Sequence, residues 1–414
     1  MKRGYFIGFV FVVTCALHAL SQEKSLDFFL RQGLSGSPVV KDLNNQIQSN
    51  SVDSLLVKAV VKPQVNFDTW LMYAPIINGY GYSEPITNGQ NLTSTVNVSQ
   101  NIFNKKTIEA NYSRFGIRNK SLANSVKLTV NDLKKAITAQ YLAAYSAYNE
   151  IVINRDLINE GKEEDDILKK LVDQGLYKQT DYLSFLIAFQ SLSLQIANSE
   201  IQYSHDLSAL KILCGIKDTI TYSLVLPDLM GNPVVPPINS PLFQRFKIDS
   251  LSIQNEMLLI DRHYKPEIKW FSDAGIINNE PKVIYQNFGV SLGLSLALPV
   301  YDGNQRKLNI RKLRTSEETR KSYEDFFKLQ YDQQLQQLTS ELEKTRKLIP
   351  QLKKQINMSG ELIKQDKLLL NRGGISITDY LMAVKNFISI QKDLNQYTVR
   401  SLEILNEINY LNQN

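Results

Sequence analysis

Gly373-Gly374-Ile375-Ser376-Ile377-Thr378-Asp379-Tyr380-Leu381 repeats an earlier stretch, Gly175-Leu176-Tyr177-Lys178-Gln179-Thr180-Asp181-Tyr182-Leu183. Each has a glycine, four variable residues, then Thr-Asp-Tyr-Leu, and each lies between two long runs of helical apolar period. The local reading is the tight turn of a helical hairpin. Gly175 or Gly373 leaves one helix with φ > 0, and Thr180 or Thr378, or the aspartate after it, caps the next. Two copies 198 positions apart (379 − 181) point to a duplication.

Working outward, the duplication spans the chain. Ser37-Pro38 returns as Ser240-Pro241, and Lys62-Pro63-Gln64-Val65 as Lys265-Pro266-Glu267-Ile268, both at an offset of 203 (240 − 37; 265 − 62). Val98–Asn104 aligns with Leu296–Asp302 at 198. The five-residue change falls where Asn78-Gly79 and Asn88-Gly89 mark a longer loop in the first copy. A first repeat over 22–226 and a second over 242–414 are joined by a Pro-rich connector, 227–241.

Each copy reads helix, strand, strand, long helix, turn, helix. After Ser-Pro comes a helix of about 25 residues, with Leu251, Met257, Leu258 and Ile260 on its apolar face in the second copy, ended by Lys-Pro. Strands follow at about 63–74 and 92–102, then about 266–275 and 287–299. In the last of these Phe288, Val290, Leu292, Leu294, Leu296 and Leu298 alternate with Gly289, Ser291, Gly293 and Ser295. Large apolar groups on one face and small ones on the other suit an outer-membrane barrel strand, and equally a soluble sandwich with one wet face. Phe271, Tyr285, Phe288 and Tyr301 near strand ends suit an interfacial belt or plain packing. Helical hairpins then run over 104–213 and 303–412, with seams through Val126, Val130, Leu133, Ile137, Ala144, Tyr148 and Ile151, and through Leu335, Leu338, Leu342, Ile349, Leu352, Ile356 and Ile363. Gly161 and Pro350 are expected to bend these helices.

Composition narrows the class. The 414 residues are 43% hydrophobic, with a net charge of +6, 3 His and 2 Cys, Cys15 and Cys214. That excludes a disulfide framework and disfavours a Cys/His metal site. Lys and Arg are interspersed with Asp and Glu, so no nucleic-acid partner is expected. Residues 1–21 read as a secretory signal: Lys2 and Arg3, an apolar core from Tyr5 to Val13, then Ala19-Leu20-Ser21. Thr14 before Cys15 and the apolar Ala16–Leu20 after it fit a lipidation site poorly. Glu163-Glu164-Asp165-Asp166 reads as a solvated helix face. His205 and His263 have no nucleophile or ligand spacing, and no phosphate loop is present, so neither enzyme chemistry nor a cofactor is expected.

Four strands per chain cannot close a barrel, and lipid tolerates no open edge, so closure would need several chains. Small residues at 289, 291, 293 and 295 suit a lumen. This layout resembles the TolC-like outer membrane efflux proteins over roughly 25–414. The residues that carry the resemblance are the Pro ending the helix before each first strand, Pro299-Val300-Tyr301-Asp302-Gly303, and the paired Gly-x-x-x-x-x-Asp-x-Leu turns. It implies a mainly α chain whose homotrimer forms a twelve-stranded β-barrel in outer membrane lipid, continued by a periplasmic coiled-coil α-barrel. It implies a passive exit duct of a tripartite efflux or type I secretion system, coupled through a periplasmic adaptor to an inner-membrane pump.

The same resemblance implies site residues. The turns with Gly175, Thr180, Gly373, Gly374 and Thr378 would dock the adaptor. Asp379, with Asp181 nearby, would line a cation-attracting periplasmic gate, a role compatible with capping the helix. The family's second aspartate three residues on is Met382 here, so one acidic ring is expected. The rival reading is a periplasmic coiled-coil adaptor or structural protein that forms no pore; a third is an exported hydrolase. An adaptor would flank one hairpin with a compact β-domain, whereas two hairpins are present, each next to a strand pair.

Overall fold

The structure is a computed structural model describing residues 23–82, 89–102, 105–231 and 240–412. The leader expected at 1–21, with Cys15 and His18, and 232–239 of the connector lie outside these.

In chain order the elements are β1 (Glu23–Lys24), α1 (Leu26–Gly36), α2 (Pro38–Val60), β2 (Gln64–Tyr73), β3 (Gln90–Ile102), α3 (Lys105–Asp173) and α4 (Gln179–Cys214). Then come β4 (Ser223–Leu224), α5 (Pro241–His263), β5 (Glu267–Asn278), a short 3-10 turn (Pro281–Gln286), β6 (Phe288–Ala297), α6 (Gln305–Leu370) and α7 (Ile377–Leu411). The chain divides into two compact units. One takes the chain up to Gly36 with Lys134–Met230 and Ser340–Asn406; the other takes Ser37–Leu133, Gly231–Thr339 and Glu407–Asn414.

The second unit holds the sheet. Ser37 and Ser240 cap α2 and α5, each Oγ accepting a backbone N–H, from Val40 and Leu242, with Pro at the first helical position. The four long strands form one antiparallel sheet in the order β2-β3-β5-β6, with β2 and β6 at its edges. Register puts Val65, Phe67 and Leu71 on one face with Val96, Val98, Ile268, Leu294 and Leu296. The other face carries Asn66, Asp68, Thr95, Asn97, Asp273, Ser291 and Gly293. On that polar face Asn97 Nδ2 donates to Asp68 Oδ2 at 2.7 Å, and the Ser291 hydroxyl donates to Asp273.

One expected boundary moves here, and one open alternative is decided. β5 continues through Ile276 to Asn278, because Gly275 lets β3 come close enough for the pairing to go on: a Cβ at 275 would stand 2.1 Å from Ser94 O. Phe271 does not belong to an apolar belt; it pairs with Gly293 on the polar face and its ring covers that glycine, 2.3 Å from where a Cβ would stand. The core of this unit is Leu242, Phe243, Tyr331 and Leu411, joined by Phe327, Leu335 and Leu338. Phe243 and Phe246 of α5 pack on Phe327, so that helix buries its first half, whereas Leu258 of the expected face is exposed.

In the first unit α3 runs unbroken through Gly161, where the Phe189 ring of α4 occupies the space a side chain would take. Sequence reading missed a buried anchor: α1 inserts Phe29, wholly buried, against Tyr141 and Tyr222, while β1 pairs in parallel with β4. Tyr141 Oη accepts the Val225 N–H, and burial pushes its hydroxyl up to about 12.

After α4, Gly215 at φ 69° turns the chain. Lys211 Nζ then bonds Asp218 Oδ1 at 2.9 Å and the Ile220 carbonyl, while the Tyr222 hydroxyl donates to the same aspartate. Those two partners, Tyr222 first, hold the Asp218 carboxyl below its ordinary value. A depressed carboxyl contributes stability that is complete above its unfolded value of about 3.9 and lost as pH falls through the folded one. An acid transition below about pH 4 in the tyrosine near-UV dichroism is therefore expected, reduced in Asp218→Asn. Equal transitions in the two proteins would contradict this latch.

Candidate gate at the hairpin turns

Both turns close the same way. The Gly175 N–H donates to Val172 O at 2.9 Å and the Leu176 N–H to Leu171 O at 2.9 Å. In the second turn the Gly373 and Gly374 N–H groups do so to Leu370 O and Leu369 O, at 3.1 and 2.8 Å. The glycines stand at φ 76° and 71°, the left-handed exit that a Cβ penalises.

The caps differ from the reading above. Lys178 precedes α4 and makes no side-chain cap; Thr180 and the half-buried Asp181 already lie in the first helical turn. In the second copy the cap is Ser376, whose Oγ accepts the Asp379 N–H at 3.1 Å. That hydroxyl donates its proton to Asp379 Oδ2 at 2.7 Å. Thr378 caps nothing and is exposed, as is Asp379. The signal for this cap is a Ser two residues ahead of the repeated Thr-Asp, present as Ser376 in the second copy and replaced by Lys178 in the first.

The turns are joined through a shared core of Leu168, Leu171, Phe185, Leu370, Ile377 and Tyr380. Tyr177 of the first turn reaches into the second: its hydroxyl lies 2.8 Å from both the Leu370 and Ile375 carbonyl oxygens and donates to one at a time. One helical turn away is a buried ionic group that sequence reading missed. Glu164, which faces no solvent to speak of at 3% exposure, meets Lys367 Nζ at 2.7 Å and accepts from the Tyr380 hydroxyl. Its carboxylate raises the Lys367 ammonium, and burial, then the same carboxylate, raises the Tyr380 hydroxyl.

Glu163-Glu164-Asp165-Asp166 is thus a solvated face in part only. Glu163 is exposed, Glu164 is inside, and Asp165 Oδ1 accepts from the Tyr182 hydroxyl at 2.9 Å. Both tyrosines of the repeated Thr-Asp-Tyr-Leu motif therefore reach back to one acidic run on α3. Among the described residues no group of three or more His, Cys, Asp or Glu could hold a metal ion. No helix among them is long and apolar enough to cross a membrane.

Solved structures give the fold a name. The CusC transmembrane channel superposes with a TM-score of 0.79 at 10% identity, covering 94% of this chain and 92% of its own. The fold is that of the TolC-like outer membrane channels. The Campylobacter jejuni CmeC outer membrane channel gives 0.76 at 12% identity, over 93% and 85% of the two chains. The Vibrio cholerae outer membrane protein VceC gives 0.75 at 12% identity, over 94% and 96%. No protein-family model and no curated protein matches the sequence. At such identities the TolC-like likeness is one of fold.

Proposed function

We propose that the chain is the outer membrane channel of a tripartite efflux or type I secretion system, a passive exit duct for small molecules or polypeptides. The observation that carries this is the sheet. On β6, Val290, Leu292, Leu294 and Leu296 are 72, 80, 76 and 69% exposed in a single continuous row, and among the described residues nothing pairs with either sheet edge. Water does not favour such a face and lipid does not allow such edges, so the strands need a bilayer and further copies of themselves. Three copies give twelve strands, enough for an open lumen. Gly289, Ser291, Gly293 and Ser295, with Asp68, Asn97 and Asp273, would line it. A pore-less adaptor offers no use for this face.

The homotrimer would sit in the cell outer membrane with its helices in the periplasm. The turns carrying Gly175, Thr180, Gly373, Gly374 and Thr378 would receive the adaptor that links the duct to an inner-membrane pump. The exposed Asp379 would provide the acidic ring of the gate, with Asp181 nearby; the exposed Met382 adds no second ring.

Planar-bilayer recording tests the reading: discrete conductance steps are expected, and a preparation that never conducts would contradict it. Asp379→Asn should weaken block of that conductance by multivalent cations several-fold, whereas Ser376→Ala, which keeps the carboxylate, should not. Equal block in wild type and Asp379→Asn would remove Asp379 from the gate.

A further inference from the structure

The start of α6 carries charge out of keeping with the rest of the chain. From Gln305 to Ser316 there are five cations, Arg306, Lys307, Arg311, Lys312 and Arg314, and no carboxylate before Glu317. Beyond that point the two signs alternate again, as in Glu317-Glu318-x-Arg320-Lys321. All five cations are exposed. Arg306 is committed within the chain: it donates to Asp261 Oδ1 at 2.7 Å and its guanidinium lies over the Tyr264 ring. Among the described residues Lys307, Arg311 and Arg314 have no carboxylate at ion-pair distance, and they converge on an open cleft of about 530 Å³ whose two acids are engaged within the chain, Asp261 by the Arg306 guanidinium and Asp302 by the Arg306 N–H and the Tyr264 hydroxyl. In the first repeat Lys105, Arg114 and Arg118 stand exposed at the corresponding start of α3, with Glu109 the only acid up to Lys120.

The chain position of this cleft says what fits it. Between the end of β6 and this cleft Leu298, Val300 and Tyr301 are 51, 91 and 85% exposed. From Gln305 to Arg314 is nine helical rises, about 14 Å. A side chain that snorkels from such a position reaches the headgroup layer of a bilayer holding the strands. Guanidinium and ammonium groups without carboxylate partners are matched by phosphate, which takes the arginine fork bidentately.

We propose that Lys307, Arg311 and Arg314 form a collar that seats the phosphate headgroups of anionic glycerophospholipids in the periplasmic leaflet, an inference that rests on the channel reading above. The collar fixes the height of the barrel in the bilayer and selects the lipid around it.

The test loads the detergent-extracted protein with equal phosphatidylglycerol and phosphatidylethanolamine of the same acyl chains and reads the bound ratio by native mass spectrometry. Wild type should retain the anionic lipid preferentially. At roughly five-fold per basic side chain near an anionic surface, K307Q/R311Q/R314Q should lose at least about tenfold of that preference. The charge-preserving K307R, which leaves both arginine forks in place, should keep it, as should K344Q/K353Q/K354Q further along the same helix. An unchanged ratio in the collar variant, or an equal loss in the distant one, would overturn the proposal. Bilayer conductance measured on the same preparations separates the two readings: conduction without lipid preference sinks the collar alone, and silence of the wild type sinks the channel, while the lipid ratio still decides the collar.

Discussion

Replacing Glu164 with alanine will loosen both hairpin turns and cost about 3 kcal/mol, near the lower end for breaking a buried ion pair because Lys367 keeps some access to water. Removal of the carboxylate leaves the Lys367 ammonium and the buried Tyr380 hydroxyl without the partner they share. Tyr380 belongs to the core that joins the first turn to the second, so the damage falls at the hairpin turns rather than in the sheet. Differential scanning calorimetry should show the loss, and the bilayer conductance should rise as the mouth relaxes. Tyr380→Phe, which removes one hydrogen bond and leaves the ion pair, should cost only about 1 kcal/mol. Equal melting of wild type and Glu164→Ala would show that the group is not a fastening.

The second large effect is expected in the sheet. Gly275→Val will prevent assembly. A Cβ there meets backbone, Ser94 O at 2.1 Å and the Thr95 Cα at 2.6 Å, and backbone cannot step aside as a flexible side chain can. Overpacking of this kind costs about 1–3 kcal/mol in a soluble core. In lipid the pairing lost between β3 and β5 adds several kcal/mol for each group left without a partner. Gly289, its partner on β6, has nothing within 4 Å of a built Cβ, so Gly289→Val should assemble as wild type. Heat-modifiable migration on gels reads both variants. Assembly of Gly275→Val would mean that β3 and β5 are not packed as described.

The sequence announced the plan of the fold because a duplication doubles every weak signal. Ser-Pro twice marks two helix starts, Lys-Pro twice their ends, and the alternation of Phe288 to Leu298 fixes which face of β6 is apolar. What stayed hidden needed a partner to be seen. Phe271 looks like any aromatic of a membrane belt until register sets it over Gly293. Glu164 looks like its three acidic neighbours; only the phase of α3 against the second hairpin turns that one inward. The anchor of α1 has eleven residues and buries Leu26, Phe29 and Gly33, too short a stripe to show a period. At the hairpin turns, the repeated glycines were legible through the left-handed exit they allow, and the capping serine was not, because it differs between the copies.

The most direct test of the account is the mass of the detergent-extracted particle, corrected for bound detergent by light scattering. Four strands per chain, open at both edges and apolar on one face, need several copies for closure, and the likeness to the TolC-like channels makes the expected number three per particle. A particle of one chain, stable in water without detergent, would contradict the channel.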